Sequence, residues 1–289
     1  MKYTTARQKM TLRLLFGVLI ALLLILTISS YQQSAHESGR TNVVMLDVEQ
    51  GDSFLIKGKD GGTILIDGGR GSVALSELTN VLPTTKPISV IIATHPDADH
   101  IEGLIPIIQR YKVGTVIISG VYSDTDVAKR FYSALEKKKI PILLGRTGIR
   151  IALSDTEKKT ILFPDRSVTT WETNAASIVS RFDAGDASVL FTGDSPISVE
   201  KYLVNNYRKY LDVDILKLGH HGSRTSSSEL FLRATSPSLA LISAGKNNSY
   251  GHPHKEVTDI LTRLGIPSIS TQTENTVTFF AEVGKWVRK

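Results

Sequence analysis

The 289-residue sequence contains no cysteine. That excludes disulfides and thiolate metal sites together, so any metal ion must be held by imidazole and carboxylate groups. Those donors suit Zn2+ or a harder ion such as Mn2+. Aromatic residues are also scarce, at 7%, and no run of basic and aromatic residues marks a nucleic-acid groove. Tandem repeats, low-complexity tracts and long Pro/Gly linkers are missing, which leaves one globular domain as the expectation. Only one long apolar run is present, too little for a multi-helix membrane pore.

That run covers residues 14–28 and carries no charge, while Lys2, Arg7, Lys9 and Arg13 precede it with no acidic residue among them. The pattern is that of an export signal or of an uncleaved membrane anchor. Fifteen residues reach the upper limit of a signal-peptide core and fall short of the ~20 of a relaxed spanning helix. Thr27-Ile28-Ser29 is a poorer cleavage site than Ala-x-Ala, which favours the anchor. In both cases the positive flank places the N-terminus in the cytoplasm and the rest outside. The expected organisation is a signal anchor or signal peptide in residues 1–30, a polar linker in 31–41 and a globular domain in 42–289. The expected location is the cell membrane, single-pass with an extracellular globular domain, or the medium if the segment is cleaved. The net charge of +6 falls to +2 once the four basic residues of the export segment are set aside, so the basic balance says little about partners. No protein partner is inferable.

From Asn42 onward, short β-branched runs alternate with helical patterns. Strands are expected at 43–48, 54–57, 63–67, 88–94, 149–153, 160–163, 177–182, 188–192, 213–218, 239–243 and 276–281. Helices are expected at 72–81, 101–110, 125–137, 197–207, 227–234 and 255–264. Two strand-rich halves, each with helices, predict a mixed α/β (α+β) fold of two facing sheets with helices outside.

The residues that carry chemistry sit where strands end. Ile88-Ser89-Val90-Ile91-Ile92-Ala93 runs into Thr94-His95-Pro96-Asp97-Ala98-Asp99-His100, four potential ligands within six residues. In an extended segment, alternation puts positions 95, 97 and 99 on one side. Ser188-Val189-Leu190-Phe191 runs into Thr192-Gly193-Asp194, and Ile215-Leu216-Lys217-Leu218 into Gly219-His220-His221-Gly222-Ser223. A Gly-Asp turn or a His pair is ordinary by itself. Three strands that each end in His or Asp point to a shared metal centre.

Order and residues resemble the metallo-β-lactamase superfamily, whose first metal motif His-x-His-x-Asp-His is matched by His95-Pro96-Asp97-Ala98-Asp99-His100. With Asp in its second place, the motif is similar to the extracellular hydrolase domain of ComEC-type competence (DNA-uptake) proteins. Further segments in the same order are Asp47-Val48-Glu49-Gln50-Gly51-Asp52-Ser53, Leu65-Ile66-Asp67-Gly68-Gly69, Phe191-Thr192-Gly193-Asp194, Lys217-Leu218-Gly219-His220-His221-Gly222-Ser223-Arg224-Thr225-Ser226 and Tyr250-Gly251-His252-Pro253. The resemblance spans about residues 42–266. Glu49 departs from it, since the family usually has Gly there.

The resemblance implies a four-layer αββα sandwich, preceded here by one N-terminal apolar helix, with one or two divalent ions (Mn or Zn) at an edge between the sheets. By motif position His95 and Asp97 hold one ion, Asp99 and His100 the other, and Asp194 bridges them. His221 is taken as the remaining ligand and His220 as a substrate or proton-transfer group, although the opposite assignment stands open. Asp99 and His220 are the candidates for catalysis. No histidine lies between His100 and His220, so the family's third-motif His is missing, and Asn174-Ala175-Ala176-Ser177 offers only neutral groups in its place. That shortage favours a harder ion such as Mn2+ or Mg2+, or a single firmly bound ion. Asn174, Ser177, Ser223 and His252 are the candidates for substrate contact. His252 equally fits a turn before the helix at 255, and His254 and His36 are expected to face solvent. Lys217 and Arg224 are candidates for phosphate contact, Lys217 being equally suited to a solvated strand position.

The implied reaction is metal-assisted hydrolysis of a phosphodiester, with single-stranded DNA a candidate substrate and the membrane a partner through the N-terminal segment. The alternatives are hydrolysis of another extracellular ester, amide or lactam, and a non-catalytic metal-binding module. The second conflicts with a full set of ligands at 95, 97, 99, 100 and 194.

Overall fold

Along β1 (Asn42–Met45), β2 (Phe54–Lys57) and β3 (Thr63–Ile66) successive apolar side chains divide between two cores. Val43, Met45, Phe54, Ile56, Ile64 and Ile66 pack into one cluster. Val44, Leu55 and Leu65 pack into another. A strand covered on both faces needs an unbroken apolar run, and these segments supply one. The computed structural model describes residues 39–289, so the segment expected at 14–28 and its flanks lie outside the described residues. No described helix is long and apolar enough to cross a membrane.

The first sheet takes β1, β2 and β3 with β4 (Ile88–Ala93), β5 (Val113–Ile118), β6 (Ile142–Leu144), β14 (Val277–Glu282) and β15 (Lys285–Arg288). Its order is β15-β14-β1-β2-β3-β4-β5-β6, parallel from β3 to β6. The second takes β7 (Arg150–Ala152), β8 (Glu157–Phe163), β9 (Val179–Ala184), β10 (Ala187–Phe191), β11 (Ile215–Lys217), β12 (Leu239–Ile242) and β13 (Ser268–Ser270). Its order is β13-β12-β11-β10-β9-β8-β7, parallel from β10 to β13.

The inner cluster draws on both sheets, with the rings of Phe54 and Phe191 meeting edge-on at 5.3 Å. Helices Val73–Val81, Leu104–Arg110 and Asp126–Lys137 cover the outer face of the first sheet through Leu78, Ile107 and Phe131. Helices Ile197–Tyr207, Glu229–Thr235 and Lys255–Leu264 cover the second through Leu203, Phe231 and Leu261. The layers are therefore helix, sheet, sheet, helix, as expected.

Two local expectations fail. The helix expected at 101–110 is two pieces, Ala98–Ile101 and Leu104–Arg110. Between them Gly103 lies against the Gly68 carbonyl, where a Cβ would collide. The strands β5, β6, β13 and β15 were not anticipated. β6 is a three-residue edge strand whose side chains are all exposed, so its extended form depends on pairing with β5 rather than on an apolar pattern.

Candidate metal centre

Four of the clusters of chemical groups noted in the sequence lie beyond the carboxyl end of a parallel strand. Asp67 follows β3, His95 follows β4, Asp194 follows β10 and the His220-His221 pair follows β11. Parallel strands leave a crevice at that edge, and loops from both sheets meet there. The segment after β4 is extended only to Asp97 (φ −79°, ψ 151°) and then enters the helical turn Ala98–Ile101. The expected alternation through position 99 is thus replaced by a turn from which Asp99 and His100 project. The loop before β2 closes on this turn: Asp52 N donates to Asp99 O at 3.2 Å. Gly51 permits the approach, since its φ is 128° and a Cβ there would strike the Asp99 carbonyl.

Three buried imidazoles share one arrangement. His100 Nδ1 donates to Asp67 Oδ2 at 2.8 Å, and His221 Nδ1 to the Ser243 carbonyl at 2.9 Å. His95 Nδ1 lies 3.0 Å from Thr94 Oγ1 and 3.2 Å from Ser177 Oγ. Tying Nδ1 to an oxygen fixes the tautomer and frees the other ring nitrogen as a lone-pair donor. In all three rings Nε2 is buried without a hydrogen-bond partner. Asp194 Oδ2 lies amid them, 3.3 Å from His100 Nε2, 3.5 Å from His221 Nε2 and 4.0 Å from His95 Nε2. Asp99 Oδ2 stands 3.3 Å from His221 Nε2. Four ligand groups follow among the described residues, His95–His100–Asp194, Asp99–His100–His221, Asp52–Asp67–His100 and Asp52–Asp194–His221, each with its atoms within 4.8 Å of one another. Converging, buried, unpartnered nitrogen and carboxylate atoms are the donor set of a divalent-cation site.

The charges agree with that reading. Burial raises the Asp194 and Asp99 carboxyls, but His100 and His221 overcome it and hold both well below the usual range. Conversely burial lowers His221, yet Asp194 and Asp52 push it up to about 9, and Asp194 and Asp67 raise His100 likewise. His95 is held down to about 3 by burial and by the charge of His100, so it stays neutral as a ligand must.

The remaining sequence candidates divide. Asp97 stands at the rim, half-buried, with Oδ2 3.7 Å from His95 Nε2. Ser177 is buried and joins two ligands, receiving Asp194 N at 3.1 Å beside His95. Asn174 lies in the same turn, its Oδ1 buried without a partner. Ser223 is not brought to the open site: its hydroxyl is buried and accepts from Thr225 Oγ1 at 3.0 Å. His220 is half-buried, with Nε2 3.7 Å from Asp194 Oδ2 and its ring 5.4 Å from that of His252. Burial and the neighbouring His221 and His220 lower His252 to about 4, and its Nδ1 has no hydrogen-bond partner.

Two expectations are corrected. Lys217 is neither solvated nor open to a phosphate. It is 1% exposed, ion-paired with Asp52, and its Nζ donates to Gly193 O at 2.8 Å, bracing the loop of Asp194 from below. His254 does not simply face solvent, since its Nδ1 accepts from Arg224 N at 3.1 Å. His36 is outside the described residues. Sequence reasoning did not single out Asp52 or Asp67 as site residues, although Asp67 carries the same signal as Asp194: an apolar strand ending in Asp beside Gly.

Residues 46–246 match the family described as the metallo-beta-lactamase superfamily. The chain is 28% identical over 260 residues to ComE operon protein 3 of Bacillus subtilis, covering 84% of this chain and 33% of that protein. It is 30% identical over 265 residues to competence protein ComA of Neisseria gonorrhoeae, covering 90% of this chain and 35% of that one. It thus spans about a third of the length of these curated relatives. The crystal structure of the metallo-beta-lactamase fold protein YhfI from Bacillus subtilis superimposes with a TM-score of 0.52 at 16% identity, over 81% of this chain and 98% of YhfI.

Proposed function

Because the chain belongs to the metallo-β-lactamase superfamily, we propose that it is a metal-dependent phosphodiesterase whose globular part works outside the cytoplasmic membrane. The observation that carries this reading is the meeting of three unpartnered imidazole Nε2 atoms around one Asp194 oxygen. His95, Asp97 and Asp194 would hold one divalent ion, and Asp99, His100, His221 and Asp194 a second. Such ions supply Lewis acidity that polarises a phosphoryl oxygen and acidifies water near neutral pH. The chain's own part is to fix that chemistry in place. Asp67, Ser243 and Ser177 lock the imidazoles, and Lys217 braces the loop that carries Asp194.

His220 and His252 face each other at the mouth, and His220 Nδ1 is held by Thr225 Oγ1 at 3.1 Å. His220 is our candidate for the group that contacts the substrate or transfers a proton. Phosphodiester chemistry is favoured over amide or lactam hydrolysis by the six motifs shared with ComEC-type proteins and by a relative that bears the name competence protein.

His95→Ala and Asp99→Ala should each lower hydrolysis of a simple phosphodiester by at least a hundredfold while the circular dichroism spectrum and Tm stay near the parent's. Variants that keep full activity would remove this centre from the reaction. The outside location rests on the charged flank and the apolar run at 14–28. Protease added to intact cells should digest the globular part, and digestion only after lysis would reverse the topology.

A further inference from the structure

Beside the metal centre lies a second cavity that the reading above leaves without a role. It has a volume of about 230 Å3, and its lining includes Phe163, Arg166, Trp171, Ala175, Val199 and Tyr202. Its walls grow out of the ligand loops. Ala175 precedes by two residues Ser177, which touches His95 and Asp194. Ser198 and Val199 begin the helix that follows Asp194. Thr173, between Trp171 and Ala175, lies close enough to Asp97 to lower its carboxyl against the effect of burial.

The lining has a flat, aromatic body and a polar rim. Phe163 stands 6.0 Å from Trp171 and 6.1 Å from Tyr202, ring centre to ring centre. Trp171, which lines the cavity, is 38% exposed. The Arg166 guanidinium lies over the Tyr202 ring at 5.2 Å and donates to its hydroxyl at 2.7 Å. Asp165 anchors the group, pairing with Arg166 at 2.8 Å and accepting from Tyr202 Oη and from Tyr207 Oη at 3.3 Å. The rim is therefore polar with its charges matched, which suits a neutral guest.

We propose that this cavity is a subsite for one nucleobase of a single-stranded nucleic acid, held while an adjoining phosphodiester lies at the metal centre. The inference rests on the phosphodiesterase reading and adds to it a place in the fold for one unpaired base. A base has the two properties that the lining selects, a planar apolar body that stacks on aromatic rings and a polar edge that meets Arg166 and Tyr202. An acyl chain has no use for the rim, and a charged headgroup finds no net charge there. A cavity of this size is below the ~300–1,000 Å3 of drug-sized pockets and fits one ring system rather than a base pair. The base must accordingly be unpaired.

The test compares two DNA strands of equal length and phosphate number, one bearing bases and one abasic throughout, cleaved by the metal-loaded full chain. The parent protein should show a KM roughly five- to a hundredfold lower for the base-bearing strand, the range that stacking on one aromatic residue supplies. Trp171→Ala should erase that preference, and Trp171→Phe should restore most of it. A readout free of turnover uses Trp286→Phe, which leaves Trp171 as the sole tryptophan. Its fluorescence should be quenched by the base-bearing strand and not by the abasic one. Equal KM values for both strands in the parent, or a preference that survives Trp171→Ala, would overturn the subsite alone. Cleavage of neither strand would overturn the phosphodiesterase reading and the subsite with it.

Discussion

His220 and His221 are neighbours in sequence with opposite surroundings. His221 is 1% exposed and its Nε2 faces Asp194 and Asp99, whereas the His220 side chain is 29% exposed at the mouth. The difference comes from the backbone: both residues are left-handed, with φ of 49° and 55°. Two consecutive non-glycine residues in that region cost of order 1–3 kcal/mol each, a strain found mostly where function needs it. His221→Ala should therefore lose bound metal. His220→Ala should keep metal and lower kcat by roughly a hundredfold, the lower end of what a general acid contributes. Metal analysis beside steady-state kinetics decides it, and the reverse pattern would make His220 the ligand. Sequence could not assign this pair because the assignment depends on the sign of φ, not on spacing. Lys217 was legible and was misread: it alternates with Ile215, whose side chain enters the inner core, so both face inward. Glu49, the departure from the family's glycine, takes a left-handed φ of 62°, which explains why glycine suits that position.

At the scale of elements, the strands that bury both faces could be read from their apolar runs, and the helices Ile197–Tyr207 and Lys255–Leu264 were read to the residue. What could not be read depends on partners. β13, another three-residue edge strand, extends because β12 pairs with it. β8 holds a residue that no core pattern predicts. Lys159 is fully buried between the sheets, its Nζ 3.6 Å from the centre of the Phe191 ring and 3.5 Å from Ser180 O. Burial lowers its pKa well below the usual 10.5, against the pull of Asp183. The folded chain then binds that proton less tightly than the unfolded chain. Stability should rise with pH above the depressed value and level off near 10.5. Lys159→Met, of similar length, should remove this pH dependence and stabilise the fold at pH 7 by about 1–2 kcal/mol. Urea unfolding at pH 7 and pH 10 measures both effects, and a less stable Met variant would show that the ammonium is better compensated than its contacts suggest.

For the whole molecule, the sandwich brings Asp52 and His252 to one edge although 200 residues separate them. Loops after β3, β4, β10 and β11 all open on that edge, so the two sheets act as a frame for a site that neither half contains alone. The motifs made the edge legible from sequence. The aromatic cavity beside it was not, because Phe163, Trp171 and Tyr202 are scattered over forty residues and meet only in the folded chain. The most direct measurement strips the full chain of metal and returns Mn2+ or Zn2+ while following hydrolysis of a simple phosphodiester. The set proposed for one ion, His95, Asp97 and Asp194, has two carboxylates to one imidazole and no third-motif histidine, which favours the harder ion. The account predicts no hydrolysis by stripped protein, recovery with either ion and more with Mn2+, and none in Asp194→Ala. Metal-loaded protein that leaves the phosphodiester intact and opens a lactam or amide instead would contradict it.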